Sequence, residues 1–386
     1  MRNTRCGMPV AAQRQPLAIY AITRHGVELA RRLGAALPDA HTYVSDKFLA
    51  QAPPGARPLA LPIGPALQVN FTTYDCHVFI ISVGAVVRMI APLLQNKKID
   101  PAVVCVDDAG QWAICVLSGH VGRGNAFTER VAAALGAQSI ITTASDVRGT
   151  LTVDILGRQL GWTLDDPDRN ITRGCAAVVN EAPVMFIQET GEPNWWPADR
   201  PLPRGISYTR SLDAVNPDQY EILLIVTDRE LRATHPRHFE RAVIYRPRSL
   251  VLGLGCDKAT APALVERGVR TLLQEHHLSL ACVRSAATID LKKDEPALAA
   301  LCEKYRWPLQ TYAARQLDAA VGVENPSATV KKYVGTRTVA EAAALLASGS
   351  SRLLVPKQTY TEAGAGRSMT LAVARIPFPE REVWHA

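Results

Sequence analysis

Apolar residues recur along this chain in two different spacings. Over residues 17–150, short apolar runs typical of buried strands alternate with stretches whose apolar residues lie three and four positions apart, as on one face of a helix. The first strand-like run reads LAIYAIT, and the helix-like stretch after it reads GVELARRLGAAL. Further along, CHVFIIS is followed by AVVRMIAPLL in the same way. This alternation predicts an α/β domain with helices packed on a sheet.

One pair of strands in this first segment is predicted to be a hairpin. The stretch AVVCVDDAGQWAICVLSG holds two apolar runs around an Asp-Ala-Gly turn. After it, GNAFTERVAAALG predicts a helix that ends at Gly136, and SIITT predicts a last strand.

The pattern changes twice further along the chain. Residues 151–246 hold shorter strand-like runs and a Trp/Pro-rich stretch, PNWWPADRPLPRG, which is expected to be surface loop. From residue 247 the alternation returns. We therefore expect α/β architecture throughout, with a loose extension over 1–16, an N-terminal α/β domain over 17–150, a smaller, variable middle domain over 151–246 and a C-terminal α/β domain over 247–386.

Composition limits the classes of protein to which the chain can belong. Of its 386 residues, 47% are hydrophobic and 20% are charged, which is typical of a globular protein. We find no run of about 18 apolar residues, the length that spans a membrane. The first fifteen residues lack the apolar centre of a signal peptide. We therefore expect a cytoplasmic protein with no membrane partner.

Charge is unevenly distributed along the chain. The net charge is +5 over residues 1–150, −3 over 151–247 and +5 over 248–386. The basic residues are scattered, and few aromatic residues lie among them, so nucleic acid is not an expected partner. A small molecule with several negative charges fits scattered basic residues better. The alternative is that these are solvated basic surfaces without a ligand, and charge alone does not decide between the two.

The eight cysteines show no spacing typical of a metal site or a redox motif. There is no C-x-x-C pair and no neighbouring histidine at zinc spacing, so we expect neither a disulfide nor a metal site. Several cysteines lie in strand-like runs, where a buried thiol is the ordinary interpretation. The same interpretation is preferred for Cys256, although a nucleophilic thiol is the alternative there.

The triplet Arg24-His25-Gly26 follows the first strand, as in phosphatases that form a phosphohistidine. That chemistry needs a second histidine, which His120 could supply. Three-residue matches occur often by chance, and the triplet runs directly into an amphipathic helix. The phosphatase hypothesis is therefore weak.

Glycines at the ends of strands are a stronger signal. Gly84 and Gly119 stand where strands end and helices are expected to begin, and backbone N–H groups at helix starts bind anions. The loop LSGHVGRGN adds Ser118, His120 and Asn125, and its histidine can transfer protons or simply cap the next helix. The sequence VLGLG holds a lone G-x-G, which more often indicates close packing of a helix on a strand.

Several of these stretches, taken in order, resemble the cobalt-precorrin-5A hydrolase family of anaerobic cobalamin biosynthesis. The resemblance covers nearly the whole chain after about residue 17 and is most specific from Ile81 to Asn125. It is carried by ISVGAVVRMIAPLLQNKKIDPAVVCVDDAGQWAICVLSGHVGRGN, ALGAQSIITTASDV, VLGLGCDKAT, ATIDLKKDEPAL and VGTRTVAEAAALLA. Within it, Arg123 occupies a position that is usually small in the family, so either the pocket differs or this side chain points outward.

The resemblance implies a hydrolase that opens the δ-lactone between the ring-A acetate and C20 of a cobalt macrocycle and releases acetaldehyde. Such a reaction needs a base, an acid and donors to an oxyanion. On physical grounds we expect His120 as acid or base, Asp107 or Asp146 as its orienting carboxylate, and Ser118 beside them. The residues expected to bind substrate or oxyanion are Arg24, His25, Gly84, Arg88, Lys98, Gly119, Asn125, Gly255, Lys258, Asp290 and Lys292.

The implied partners are a polycarboxylate cobalt-tetrapyrrole substrate and neighbouring enzymes of the cobalamin pathway. No cofactor is expected, because the cobalt belongs to the substrate. A second hypothesis is a non-catalytic carrier that shelters a corrinoid intermediate and passes it on. Acetaldehyde release by the purified protein separates the two hypotheses.

Overall fold

The computed structural model describes residues 14–364 and 366–379, so most of the extension expected over 1–16 lies outside the described residues. The chain divides into two compact units, Met1–Ile155 and Leu156–Ala386. Within the described residues, no helix has both the length and the apolar character needed to cross a membrane.

The first unit is an α/β domain. Its strands are β1 Gln15–Ala21, β2 Ala40–Ser45, β3 Arg57–Leu59, β4 Tyr74–Ile80, β5 Ala102–Val106, β6 Trp112–Leu117 and β7 Gln138–Ile140. Its helices are α1 Arg24–Ala36, α2 Gly64–Asn70, α3 Val83–Ile90, α4 Gly124–Leu135 and α5 Ala144–Arg148. The predicted strands and helices are present, and α4 ends at Gly136 as expected. Strand β3 and helix α2 were not predicted, because five prolines in residues 52–65 indicated only a loop.

These strands form one seven-stranded sheet in the order β3-β2-β1-β4-β5-β6-β7. Helices α1 and α4 cover one face of the sheet, and α2 and α3 cover the other. Strands β1 to β5 are parallel, and the predicted hairpin makes β6 antiparallel to β5. Strand β7 then runs parallel to β6. The loops after β6 and β7 therefore lie at the edge opposite to the loops after β1, β4 and β5.

The order of the strands also creates a topological switch point. The connection from β1 leads to β2 on one side, whereas β4 pairs with β1 on the other side. In open α/β sheets, ligands bind in the crevice outside the carboxyl ends of the strands at such a point. Here that crevice lies where β1 ends at Ala21 and β4 ends at Ile80.

A buried histidine lies on the face covered by α2 and α3. His77 is fully buried, its Nε2–H donates to the Phe71 carbonyl oxygen at 3.0 Å, and Tyr20 Oη lies 3.2 Å from Nδ1. With the proton on Nε2, Nδ1 accepts from the tyrosine hydroxyl. Burial lowers the pKa of His77 to about 4. The ring is therefore neutral in the folded protein at neutral pH.

We expect this histidine to make folding pH-dependent. The unfolded histidine binds a proton near pH 6.5 and the folded one only near pH 4, so stability is complete above pH 6.5 and falls as the pH drops from 6.5 to 4. The loss amounts to about 3 kcal/mol. Urea unfolding at several pH values gives the slope of the free energy of unfolding against pH, and this slope should be smaller over this range for His77→Asn than for the wild type. Equal slopes would contradict the assignment.

The second unit contains two sheets. Its strands are β8 Thr163–Leu164, β9 Val184–Gln188, β10 Ile206–Thr209, β11 Ile222–Val226, β12 Ala242–Arg246, β13 Leu250–Cys256, β14 Val283–Ile289, β15 Leu309–Tyr312, β16 Leu353–Thr361 and β17 Ser368–Arg375. Its helices are α6 Ile171–Val179, α7 Leu231–Thr234, α8 Pro236–Glu240, α9 Pro262–Glu275, α10 Pro296–Tyr305, α11 Ala314–Asp318, α12 Ala328–Val334 and α13 Ala340–Ser348. The sheet orders are β10-β9-β11-β12-β8 and β15-β14-β13-β17-β16.

The lone G-x-G motif serves close packing, as the sequence indicated. A Cβ on Gly253 would lie 1.8 Å from the Ala340 carbonyl oxygen, so only glycine lets α13 approach β13. A Cβ on Gly255 would lie 2.6 Å from Thr370 Oγ1 on β17.

Residues 156–249, which include the sheet β10-β9-β11-β12-β8, are joined to the C-terminal sheet by an ion pair whose carboxylate is buried. Asp228 is fully buried and accepts two hydrogen bonds from Arg375, at 2.7 and 2.6 Å. The Trp/Pro-rich stretch is a loop, but one of its tryptophans is not at the surface. Trp195 is buried and stacks on Phe186, with 3.9 Å between the ring centroids.

Candidate functional site

The structure separates the predicted site residues into three groups. Two groups lie at opposite edges of the sheet in the first unit, and the third lies in the second unit. The first edge holds Arg24, His25, Gly84 and Arg88, at the switch point. The opposite edge holds Lys98, Ser118, Gly119, His120, Asn125 and Asp146. The third group is Gly255, Lys258, Asp290 and Lys292.

At the switch point, a histidine meets a carboxylate that sequence analysis did not select. His25 Nδ1 lies 3.2 Å from Oδ2 of Asp108, which follows β5. A carboxylate only accepts, so in the neutral ring Nδ1 carries the proton and Nε2 keeps its lone pair. The His25 side chain is 80% exposed, so Nε2 faces solvent.

The N-terminus of α1 holds this pair in place. Thr23 caps the helix, because its hydroxyl oxygen accepts from Gly26 N at 2.9 Å. The same hydroxyl donates to Oδ1 of Asp108. A Cβ on Gly26 would lie 2.9 Å from Thr23 Oγ1 and 3.4 Å from Ile80 Cγ2. The Arg-His-Gly triplet thus has a local explanation, because glycine leaves room for the capping threonine that orients Asp108.

Two predicted substrate contacts lie nearby on α3. Gly84 is exposed in the first turn of this helix, where backbone N–H groups have no partner within the helix. Arg88 is exposed one turn later, and its guanidinium Nη1 lies 3.7 Å from the position that a Cβ on Gly84 would take. A positive charge and a helix N-terminus therefore stand together beside the crevice.

One of the two sequence-based alternatives was that Asp107 orients His120, and the structure shows that it does not. Its carboxylate accepts from Trp112 N at 2.6 Å and from Ala109 N at 3.3 Å, and so shapes the β5–β6 turn. The two residues lie at opposite ends of β5, which at about 3.3 Å per residue separates them by roughly 20 Å. The reversal of the chain in the hairpin is the cause.

Asp146, the other alternative, does contact His120. The carboxylate Oδ2 lies 2.6 Å from His120 Nε2, and Ser145 Oγ lies 3.1 Å from the same nitrogen. On the other side of the ring, Nδ1 lies 3.5 Å from Oδ1 of Asp154. Both ring nitrogens therefore face carboxylates. We call His120, Asn125, Ser145, Asp146 and Asp154 the His120 cluster.

Electrostatics favour a charged ring in this cluster. The carboxylate of Asp154, followed by that of Asp146, raises the pKa of His120 against the opposing effect of burial. Burial also works to raise the pKa of Asp146, but hydrogen bonds from Thr143 and His120 outweigh it and hold this pKa below its ordinary value. The two carboxylates therefore stabilise the charged form of the ring more than burial disfavours it.

The other residues at this edge are held by local contacts. Ser118 Oγ donates to the Asp100 carbonyl oxygen at 3.0 Å. Gly119 lies outside the first turn of α4, which begins at Gly124, so its predicted place at a helix start is wrong. Asn125 Nδ2 donates to Asp146 Oδ2 at 3.0 Å. The loop that precedes β5 contains Lys98, which places this residue at the same edge.

Arg123 lies at the surface. It precedes α4 with a φ of 65°, and its guanidinium stacks over the Phe127 ring at 5.5 Å. Of the two alternatives for this position, the structure shows the side chain directed outward.

We expect His120→Ala to affect stability. Charged hydrogen bonds are each worth about 1.5–3 kcal/mol, so the variant should lose about that much at pH 6. Because the folded-state pKa is raised, this stabilisation is present below about pH 6.5 and is lost as the pH rises through the folded-state pKa. Urea unfolding at pH 6 and pH 9 checks this, with exposed His276→Ala as the control. A loss that is equal at both pH values would contradict it.

Part of the third group lines a cavity of about 460 Å³ in the C-terminal part of the second unit. Gly255, Cys256 and Lys292 line it, but Lys258 and Asp290 do not. Lys292 Nζ donates to Glu295 Oε2 at 2.8 Å. Burial raises the pKa of Cys256 to about 11, which keeps the sulfur protonated and argues against a nucleophile there.

Sequence reasoning missed two carboxylates that contact the histidines. Asp108 was passed over for its neighbour Asp107, although both end the same strand. Asp154 stands in the apolar run LTVDIL, and an acidic residue in such a run is a signal of a buried partner.

Comparison with known proteins accounts for nearly the whole chain. Three family descriptions match: Cobalamin synthesis G N-terminal over 66–146, Cobalamin biosynthesis central region over 151–247, and Cobalamin synthesis G C-terminus over 250–374. A protein of Priestia megaterium named cobalt-precorrin-5A hydrolase is 39% identical over 95% of this chain and 96% of its own length. The chain belongs to the cobalt-precorrin-5A hydrolase family.

A further relative supports this family, and a solved structure also matches the chain. A Salmonella typhimurium protein with the same name is 31% identical over 93% of this chain and 98% of its own length. The crystal structure of a putative cobalamin biosynthesis protein G homolog from Sulfolobus solfataricus is 18% identical and covers 94% of this chain and 98% of that one, with a TM-score of 0.35. The resemblance seen in the sequence is thus confirmed. Membership of the cobalt-precorrin-5A hydrolase family replaces the phosphatase hypothesis, and the relatives' names give no support to the carrier hypothesis.

Proposed function

We propose that this protein is an enzyme that hydrolyses cobalt-precorrin-5A to cobalt-precorrin-5B and acetaldehyde. One observation carries the proposal. Two proteins that bear the name cobalt-precorrin-5A hydrolase match this chain over 96% and 98% of their own lengths. A match of that extent supports the same reaction for this chain.

The reaction has two steps, which are hydrolysis of the lactone and release of acetaldehyde. Water adds to the carbonyl carbon of the δ-lactone, and the bond between that carbon and the oxygen on C20 breaks, which leaves a ring-A carboxylate, an alcohol at C20 and one released proton. The alcohol then loses its proton as its oxygen forms the C=O of acetaldehyde, and the bond from C20 to the macrocycle breaks. The macrocycle keeps that electron pair and takes up a proton. No oxidant or reductant is required, so we propose that no cofactor takes part beyond the cobalt of the substrate.

The substrate that we propose is a macrocycle with many carboxylate arms. Exposed positive charges at Arg24 and Arg88 support this at the switch point. In the C-terminal part, Lys292 and Lys357 line a cavity whose other walls include Val330, Val334 and Val339, a combination suited to an apolar arm that ends in a carboxylate. Neighbouring enzymes of the cobalamin pathway are the further partners that we propose.

We also propose that the protein works in the cytoplasm. No disulfide joins the seven cysteines within the described residues, as is usual in a reducing compartment.

The experiment is to incubate the purified full-length protein with cobalt-precorrin-5A. We expect one equivalent of acetaldehyde, trapped as its hydrazone, and a macrocycle that has lost the two-carbon unit. Protein that binds the substrate but releases no acetaldehyde would overturn the proposal in favour of a carrier.

A further inference from the structure

We propose that His25 and Asp108 form the general-base dyad of this hydrolysis, in the crevice at the switch point of the N-terminal sheet. This inference rests on the proposed function and adds the residues that activate water. From the sequence, His25 is expected only to contact substrate, and no role is expected for Asp108.

The two ring nitrogens of His25 have different surroundings. His25 Nδ1–H donates to Asp108 Oδ2 at 3.2 Å, which leaves the Nε2 lone pair directed to solvent on a ring that is 80% exposed. An orienting carboxylate on one nitrogen and an accepting lone pair on the other is the arrangement by which a histidine removes a proton from a nucleophile.

A hydrogen bond from the helix-capping Thr23 holds Asp108 in place. Its second oxygen accepts from the Thr23 hydroxyl, and that hydroxyl accepts from Gly26 N at 2.9 Å. The chain of contacts therefore runs from the backbone of α1 through Thr23 and Asp108 to His25. A catalytic group works only when its supporting contacts restrict its orientation, and this chain supplies the restriction.

His120 is less suited than His25 to accept a proton from water. That ring is only 19% exposed, and Asp146 and Asp154 lie beside its two nitrogens. A proton acceptor needs a lone pair that is open to the nucleophile, and each ring nitrogen of His120 instead faces a carboxylate. His25 has the lone pair and the exposure that His120 lacks.

The surroundings of His25 fit the proposed substrate. Strands β1, β4 and β5 all end at this edge, and α3 brings Arg88 and its own first turn to the same place. The exposed side chains of Val83 and Val87, 42% and 48% exposed, add an apolar surface on α3. The apolar face of a macrocycle can contact these valines, and its negatively charged arms can contact Arg88.

In the proposed step, His25 Nε2 takes a proton from water while the water oxygen bonds to the lactone carbonyl carbon. The carbonyl π electrons move to oxygen, and their return breaks the ester C–O bond. The proton passes from Nε2 to the departing C20 oxygen, which restores the neutral ring. Asp108 stays ionised throughout and stabilises the transient imidazolium.

The test measures kcat and KM for acetaldehyde release by four full-length proteins: wild type, His25→Ala, Asp108→Asn and the control Glu28→Gln. Glu28 lies on the exposed side of α1, one turn after His25, and is matched to the others in position. We expect His25→Ala to lower kcat by about 10²–10⁴ while KM changes by less than about threefold. Added imidazole should restore part of the lost kcat, which a merely structural defect would not allow. Asp108→Asn should lower kcat by at least about tenfold, and Glu28→Gln should match the wild type.

The outcomes separate this inference from the function on which it rests. If the wild type releases no acetaldehyde, the proposed function itself fails. If the wild type is active and His25→Ala keeps kcat within about threefold, the dyad is not the base. A lost kcat that imidazole does not restore would likewise overturn the assignment.

Discussion

Replacing Arg246 by alanine should lower the free energy of unfolding of the second unit by about 3–5 kcal/mol, because breaking a buried ion pair leaves its partners uncompensated. Arg246 is fully buried and donates to Asp165 Oδ1 at 2.8 Å and to the Arg229 carbonyl oxygen at 2.7 Å. It also lies 3.4 Å from Glu230 Oε2. One side chain therefore holds β12, the loop after β11 and the segment around Asp165.

The control for this prediction is Arg241→Ala. Arg241 lies just before the same strand, but its side chain is 36% exposed and its ion pair with Asp218 measures 3.6 Å. Exposed pairs are worth about 0–1 kcal/mol, so this variant should unfold close to the wild type. Urea unfolding followed by circular dichroism compares the three proteins. An Arg246 variant no less stable than the Arg241 variant would contradict the role of the buried guanidinium.

A single methyl group at Gly253 should be nearly as damaging. Its Cβ would lie 1.8 Å from the Ala340 carbonyl oxygen and 2.8 Å from Ala344 N, both of which are backbone atoms of α13. Backbone atoms cannot swing aside as a side chain does, so the helix must move away from β13. We expect Gly253→Ala to cost about 3 kcal/mol or more, at the upper end of the range for overpacked cores.

Gly64→Ala is the control for the glycine variant. An added Cβ at Gly64 meets nothing within 4 Å, and the residue stands in the first turn of α2. Alanine in a helix is more favourable than glycine by up to about 1 kcal/mol, so this variant should be as stable as the wild type or slightly more stable. Thermal unfolding of both variants checks the comparison. A Gly253 variant as stable as wild type would show that α13 does not need the close approach.

The elements of the fold were predictable because their signals are local. The apolar spacing of α1 and α4 and the apolar runs of β1, β4 and β13 each show in a dozen residues or fewer. Strand β3 and helix α2 were missed because prolines dominate that stretch of sequence, and in the structure two of them lie inside these elements. The order of the strands depends on contacts between distant residues, which no local pattern contains.

The site was only partly predictable, and the reason is topological. His25 and His120 both follow strands, and both have polar neighbours in the sequence. The hairpin between β5 and β6 reverses the chain, so the residues after β6 lie at the far edge from those after β1. The sequence predicts the hairpin itself. The predicted site nevertheless joined residues that lie at opposite edges of the sheet. Of the two predicted alternatives Asp107 and Asp146, only Asp146 contacts His120, because the loop after β6 and helix α5 bring them together.

The most direct test of lactone opening by water is a single turnover in H₂¹⁸O. Attack of water at the lactone carbonyl predicts one ¹⁸O atom in the macrocyclic product, in the ring-A carboxylate, as a mass increase of the isolated macrocycle. The oxygen of acetaldehyde exchanges with water and is not used. A macrocyclic product without ¹⁸O, formed together with acetaldehyde, would mean that water attacks elsewhere and would contradict hydrolysis of the lactone.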